Sequence, residues 1–291
     1  MSKYALFLGC TTPTQVPQYE ISARWVCRYF DIELIDIKDF VCCGINQINL
    51  DIETGLLLAA MNLALAEIKG LDILTLCTAC TGALAEAIEK LEDEATRDKV
   101  NEKLKIVGLK YTGKVKVKHI SRVFYENIGI ERIKKEVKRD LSDIQVAPHY
   151  GCHYLKPKLA FGDFEEPDNP KTLHQLISAT GAHSINYETL GLCCGGKTFP
   201  VTKDLAYLLV QKKLDDLIDK EVDAMVLQCQ TCYLMYSDQQ KEINEKYGKQ
   251  YNLPVILYPQ LLGLALGAEP VKELGLNLHM ILPNKIIAKV K

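Results

Sequence analysis

Ten of the eleven cysteines in this chain of 291 residues fall into two copies of one pattern. The first copy is Cys10, then Cys42-Cys43-Gly44, then Cys77-Thr78-Ala79-Cys80; the second is Cys152, then Cys193-Cys194-Gly195, then Cys229-Gln230-Thr231-Cys232. The gaps are 31 and 33 residues in the first copy and 40 and 34 in the second. A repeat of this length covers most of the chain and predicts two like halves. Adjacent cysteines do not readily bond to one another, so each vicinal pair is suited to gripping one multi-metal centre.

The stretches between the cysteines read as alternating strands and helices. In the first half, 4–8, 32–37 and 72–76 read as strands, with helices over 18–30 and 52–69 and another from about 80. The helix over 52–69 is apolar around nearly its whole circumference. It is expected to be buried on more than one side, as a core helix between layers rather than a partner interface. In the second half, 144–148, 183–187, 223–228 and 254–258 read as strands, with helices over 169–181, 203–220 and 233–246. Asn169-Pro170 reads as the start of its helix, Asn as cap and Pro in the first turn. Extra loop residues at 156–168 account for the longer first gap.

Such alternation predicts an α/β chain of two Rossmann-like half-domains, mostly parallel sheets with flanking helices. Ligands in such sheets bind beyond the carboxyl ends of the strands, and all ten repeated cysteines fall there. The expected division is 1–91, a charged and largely helical connector over 92–143, and 144–291 with a C-terminal extension. Cys27 stands outside the repeat on an apolar helix and reads as a small core residue.

Charge is nearly balanced, 35 basic against 37 acidic residues, which argues against a nucleic-acid partner. The apolar N-terminal run is too short for a signal peptide. The longest apolar run, 56–66, is too short to span a bilayer. A cytoplasmic, reducing setting is therefore expected, where eleven cysteines point to metal or redox chemistry rather than disulfides.

A structural zinc site takes four ligands, commonly from paired C-x-x-C knuckles, whereas each half offers one C-x-x-C, a vicinal pair and a single cysteine. An iron–sulfur centre is the stronger reading. Ordinary cubanes take four thiolates, so the fifth thiol in each set points either to an unusual cluster shape or to a spare reactive cysteine.

With two complete sets, each containing Cys-Cys-Gly, the chain resembles the CCG-domain family, and within it the heterodisulfide reductase B subunits of methanogenic archaea. The resemblance covers both halves and includes the run from Gln260 to Leu266. It implies a noncubane [4Fe-4S] cluster on Cys10, Cys42, Cys43, Cys77 and Cys80. A second would sit on Cys152, Cys193, Cys194, Cys229 and Cys232. The implied substrate is the coenzyme M–coenzyme B heterodisulfide, held between the two clusters and given one electron by each. The implied partners are the iron–sulfur C subunit and the flavin-bearing A subunit of heterodisulfide reductase, linked to a hydrogenase or formate dehydrogenase. His153 is the first candidate to donate a proton, and His149, Lys156 and Lys197 are candidates to bind the substrate's anionic groups. A histidine beside a ligand equally serves to hydrogen-bond that ligand alone. The rival readings are three. One is a CCG-type component of a quinone-linked succinate, lactate or glycolate dehydrogenase, or of a thiol–fumarate reductase. The others are a non-catalytic electron-transfer module and a zinc-stabilised scaffold.

Overall fold

Each half of the chain lays down a four-stranded, all-parallel sheet, and the strand order is the same in both. The computed structural model describes residues 2–156 and 164–290. The first sheet is built from β1 (Ser2–Phe7), β2 (Ile32–Asp36), β3 (Asp72–Thr75) and β4 (Val117–His119), in the order β2-β1-β3-β4. The second is built from β5 (Gln145–His149), β6 (His183–Ser184), β7 (Ala224–Leu227) and β8 (Val255–Leu257), in the order β6-β5-β7-β8. The expected pair of Rossmann-like α/β halves is therefore what forms.

The central strands are apolar because helices cover both of their faces. β1 divides its side chains with period two. Tyr4 and Leu6 join one core, while Ala5 and Phe7 join another with the helices Ile52–Ile68 and Thr78–Lys90. The first of these cores does not stop at the end of the first half. Tyr19, Ala23 and Val26, on the helix Pro17–Tyr29, share it with Leu261, Leu262 and Leu264 of the helix Tyr258–Ala265. Every residue of that second helix is buried. A fully buried leucine contributes roughly 1.5–3 kcal/mol, so this shared core fixes the two halves against each other. Cys27 is 1% exposed within it, and burial pushes its thiol up to about 12.

Several boundaries differ from the expectations, each for a physical reason. The stretch 92–143 is helical over Glu94–Leu104, Ile120–Val123 and Ile130–Glu136, but it also carries β4, which completes the first sheet beside β3. The strand expected over 183–187 pairs with β5 only at His183 and Ser184. Pro148 in β5 has no N–H to extend that ladder; instead the Tyr187 hydroxyl donates to the Pro148 carbonyl at 2.7 Å. The helix expected to start at Asn169-Pro170 begins at Thr172. Its first N–H groups are taken by the Glu165 carboxylate, which accepts from Lys171 N at 3.0 Å and Thr172 N at 2.8 Å. The helix Ile52–Ile68 is buried at Leu56, Ala59, Ala60, Leu63 and Ala64, while Ile52 and Ile68 are exposed at its ends. Of the extra loop expected at 156–168, residues 157–163 lie outside the described residues. Among the described residues no helix is long and apolar enough to cross a membrane.

Candidate functional site

Because the strands of each sheet run parallel, the loops after β1, β2 and β3 emerge on one edge, as do those after β5, β6 and β7. The cysteines ride on those loops. Cys77 and Cys229 occupy the N-cap positions of the helices that follow β3 and β7. There the thiol meets backbone N–H groups and the positive end of a helix dipole. Cys77 Sγ accepts from Cys80 N at 3.4 Å.

The two vicinal pairs sit in irregular loops, and the glycine after each pair is what the loop requires. Gly44 has φ +84° and Gly195 φ +76°, a left-handed conformation that a side chain disfavours. A Cβ on Gly44 would overlap the Gly55 carbonyl of the helix Ile52–Ile68. On Gly195 it would come 3.0 Å from Ala206 Cα of the helix Lys203–Ile218. The backbone at Cys-Cys-Gly is thus pressed directly onto the next helix. That turn also aims N–H groups at sulfur: Gly44 N donates to Cys42 Sγ at 3.5 Å, Gly195 N to Cys193 Sγ at 3.4 Å and Gly196 N to Cys194 Sγ at 3.4 Å.

The shared core brings the two cysteine edges face to face. All ten repeated cysteines line a single cavity of about 320 Å³, together with His153, Lys197, Thr78, Gln230 and Thr231. Neighbouring thiols form a continuous run across it. Cys42 adjoins Cys43, Cys43 reaches Cys80 and Cys80 reaches Cys77. Cys77 reaches Cys229 of the other half, and from there the run passes through Cys232, Cys194 and Cys193 to Cys152. From Cys42 to Cys193 the order in one half mirrors the order in the other, with Cys77 and Cys229 neighbours at the centre. The thiols influence one another strongly. The neighbouring Cys80 thiol, ahead of the Ile45 N–H, holds Cys43 down at about 7 despite its burial. Cys193 is held far below the usual thiol range, by Cys152 first and then Cys194.

Among the described residues, no group of three or more His, Cys, Asp or Glu side chains closes around a single metal ion. The thiols are instead strung along the cavity wall. Ten soft donors from six loops, several already accepting backbone N–H bonds, fit polynuclear iron–sulfur groups, which are held by thiolates and tuned by N–H bonds to sulfur.

Of the four polar candidates, the structure brings His153 and Lys197 to the cavity. His153 is half-buried and its Nδ1 has no partner among the described residues. His149 is buried at the end of β5, its ring 5.0 Å from that of Tyr236, and neither ring nitrogen is paired among the described residues. Burial, then the Lys213 charge, push it down to about 3. Lys156 is exposed at the surface, and neither it nor His149 lines the cavity. Two polar residues beside the site escaped the sequence reading, Asn62 and Lys213, both fully buried. Lys213 had a legible signal, since it stands in the apolar stripe Ala206, Val210, Leu217 of its helix, where a lysine is out of place.

The sequence residues 4–85 and 146–237 each match CCG, a cysteine-rich domain family. Over its whole length the chain is 35% identical to the B subunit of the ferredoxin/F(420)H(2)-dependent CoB-CoM heterodisulfide reductase of Methanosarcina acetivorans, covering 97% of that protein. It is 31% identical, over 98% of its length and 99% of the other, to the 8-methylmenaquinol:fumarate reductase membrane anchor subunit of Wolinella succinogenes. A solved structure of a hypothetical protein from Helicobacter pylori shares the fold with a TM-score of 0.78 at 17% identity. It matches 96% of this chain, which spans about half of it (52%).

Proposed function

The chain belongs to the CCG cysteine-rich domain family, and from that premise we propose that it is the catalytic, B-type component of a heterodisulfide reductase. In this reading it works in the cytoplasm and reduces the coenzyme M–coenzyme B heterodisulfide to its two thiols. The observation that carries the reading is the meeting of both complete cysteine sets in one cavity, joined at Cys77 and Cys229. A disulfide needs two electrons, and noncubane [4Fe-4S] clusters, one per set, would supply them one at a time. Cys10, Cys42, Cys43, Cys77 and Cys80 would hold one, and Cys152, Cys193, Cys194, Cys229 and Cys232 the other.

The chain's own residues then have separable tasks. The Gly44 and Gly195 turns aim N–H groups at sulfur and so stabilise thiolate over thiol. The shared core keeps the two sets opposed, so that a disulfide held between them meets both. Lys197, exposed at the cavity wall, is the anion contact that the reading favours for the substrate's sulfonate or phosphate, and His153 is its proton donor. His149 and Lys156 are candidates for the same anion contacts; their positions away from the cavity lend them less support. Electrons would come from an iron–sulfur C subunit and, behind it, a flavin-bearing A subunit linked to a hydrogenase or formate dehydrogenase. The chain's 35% identity to a B subunit supports a place in a multi-subunit reductase, and that relative's own name gives ferredoxin and F(420)H(2) as its electron donors.

The Wolinella relative favours a second reading, a CCG protein that exchanges electrons with a quinone. One experiment separates the two. Protein purified without oxygen is assayed for iron, then reduced and mixed with the heterodisulfide or with a menaquinone analogue. About eight irons per chain and reoxidation by the heterodisulfide alone support the first reading; reoxidation by the quinone alone supports the second. Zinc in place of iron sinks both.

A further inference from the structure

The two halves are near copies, so the places where they differ in charge stand out. The repeat aligns residue for residue around the vicinal pairs. Gly44 and Gly195 take the same conformation, and each is pressed onto the helix position eleven residues later, Gly55 and Ala206. The two helices begin in step, at Ile52 and Lys203. Asn62 and Lys213 are then equivalent, and both are fully buried.

Asn62 is neutral and satisfied by the loop that carries the first pair. Its Oδ1 accepts from Val41 N at 2.8 Å, and its Nδ2 donates to the carbonyls of Cys42 at 3.1 Å and Leu58 at 2.9 Å. Lys213 does a similar mechanical task with a charged group. Its Nζ donates to the carbonyls of Thr189 and of Leu190 (3.0 Å) and to the Tyr187 hydroxyl at 3.3 Å. The rings of Tyr187 and Tyr236 lie 4.8 Å and 6.0 Å from it. The carboxylate that acts on it, Asp216, is taken up by the Thr189 N–H and hydroxyl, each at 2.9 Å, and by Lys220 at 3.5 Å. The other groups that act on the Lys213 charge are cysteines of the second set, Cys232, Cys194 and Cys193. Burial pulls its ammonium down to about 7, and Cys232, Asp216, Cys194 and Cys193 oppose that fall.

The cavity wall differs in the same sense. Two residues past the glycine of each pair stands Asn46 in the first half and Lys197 in the second, and both line the cavity. After the lone cysteine stand Thr11 and His153, again both on the wall. At the last position of the central strands are Phe7 and His149. At every one of these four pairs the second half carries the basic residue type; burial keeps His149 neutral and off the cavity wall, so the charge difference comes from Lys213 and Lys197.

We infer that the two cysteine sites are electrostatically unequal by construction, and that Lys213 makes the group held by Cys152, Cys193, Cys194, Cys229 and Cys232 the easier of the two to reduce. Adding one electron there lowers the local charge by one unit without making or breaking a bond, and a buried cation with little water to screen it favours that state. Asn62 offers the first site no such charge. An electron arriving from a one-electron donor would therefore settle on the second site, leaving the first to be filled last. Lys213 acts through the field and is a positioning residue, not a catalytic one.

The inference rests on the iron–sulfur reading, and its test keeps the two apart. Full-length protein prepared without oxygen is analysed for iron, then titrated with dithionite at about pH 6, where Lys213 carries its charge, under electron paramagnetic resonance, with no substrate present. Wild type is expected to show two one-electron waves. Lys213→Asn, which copies the first half, should move the higher wave down by about tenfold or more in its reduction equilibrium, 59 mV per tenfold for one electron, while the lower wave stays. Lys213→Arg keeps the charge and should keep the potential. Lys197→Asn, at an exposed position where folding is not at stake, should move the same wave the same way by less. A single unsplit wave in wild type overturns the inference. So does an unmoved higher wave in Lys213→Asn with iron retained, or a shift of the lower wave instead. If Lys213→Asn loses its iron, Lys197→Asn decides alone, and an unmoved wave there is fatal. Wild type with no iron at all sinks the iron–sulfur reading itself.

Discussion

Replacing Gly44 with alanine tests the claim that the Cys-Cys-Gly turn exists because backbone must touch backbone. Two costs add. The left-handed φ of +84° disfavours any L side chain by roughly 1–2 kcal/mol. The new Cβ then overlaps the Gly55 carbonyl and lies 3.1 Å from Gly55 Cα. Those atoms belong to the backbone of the helix Ile52–Ile68 and cannot swing aside, so overpacking adds about 1–3 kcal/mol. Gly70 supplies the control. Its φ is +64°, but a Cβ there meets nothing within 4 Å, so Gly70→Ala carries the backbone cost alone. The two variants should differ by about 1–3 kcal/mol, or about 2–12 °C in Tm at ~2–4 °C per kcal/mol. The assay is thermal unfolding of wild type and both variants, prepared without oxygen and scanned at one rate, with iron measured on each. Gly44→Ala should melt lowest and lose iron from the first set only. If the two variants melt within about 1 °C of each other, close approach to the helix is not what demands glycine there.

Three further outcomes follow from other parts of the molecule. His279 is buried, with its Nδ1 3.1 Å from the Tyr233 hydroxyl and its Nε2 accepting from Gln260 at 2.8 Å; burial pushes it down to about 4. The unfolded chain takes up that proton near pH 6.5 and the folded chain does not, so stability falls as pH drops from about 6.5 towards 4. The loss reaches about 2 kcal/mol at pH 5, and His279→Gln should flatten the slope of urea midpoint against pH. Asn101→Ala should cost about 2–4 kcal/mol in a urea titration, because Asn101 holds both the carbonyl (3.0 Å) and the N–H (2.8 Å) of buried Tyr111. Cys27→Ala should leave iron content and spectra unchanged, since Cys27 lies in the core away from both sets; loss of iron in that variant would show that the ligand sets have been drawn wrongly.

The strands that ran as continuous apolar stretches, β1, β3 and β7, were legible because both of their faces are covered. β4 was not, although Val115-Lys116-Val117-Lys118-His119 alternates as a strand should. It is three residues long at the edge of the sheet, and the charges around it read as solvated surface. The overlong strand at 183–187 and the misplaced cap at Asn169 share a different cause. Each depends on a residue outside the element's own pattern that takes or withholds a hydrogen bond, Pro148 on another strand in one case and Glu165 a few residues upstream in the other. At the site, the cysteines were legible as a repeat. Lys213 was visible only as a lysine out of place, and nothing local told that it stands opposite Asn62 behind the second set.

By itself the sequence determined the kind of fold, the ten thiols and the loops that carry them. Those follow from period and spacing, which act over a few residues at a time. Whether the two sets serve two separate sites or one was decided by the tertiary structure. The helices Pro17–Tyr29 and Tyr258–Ala265 bury their faces in a common core, and that burial turns the two cysteine edges towards each other until Cys77 meets Cys229. The free energy behind it is the removal of apolar surface from water, which has no direction and no sequence range, and so left no local pattern to read.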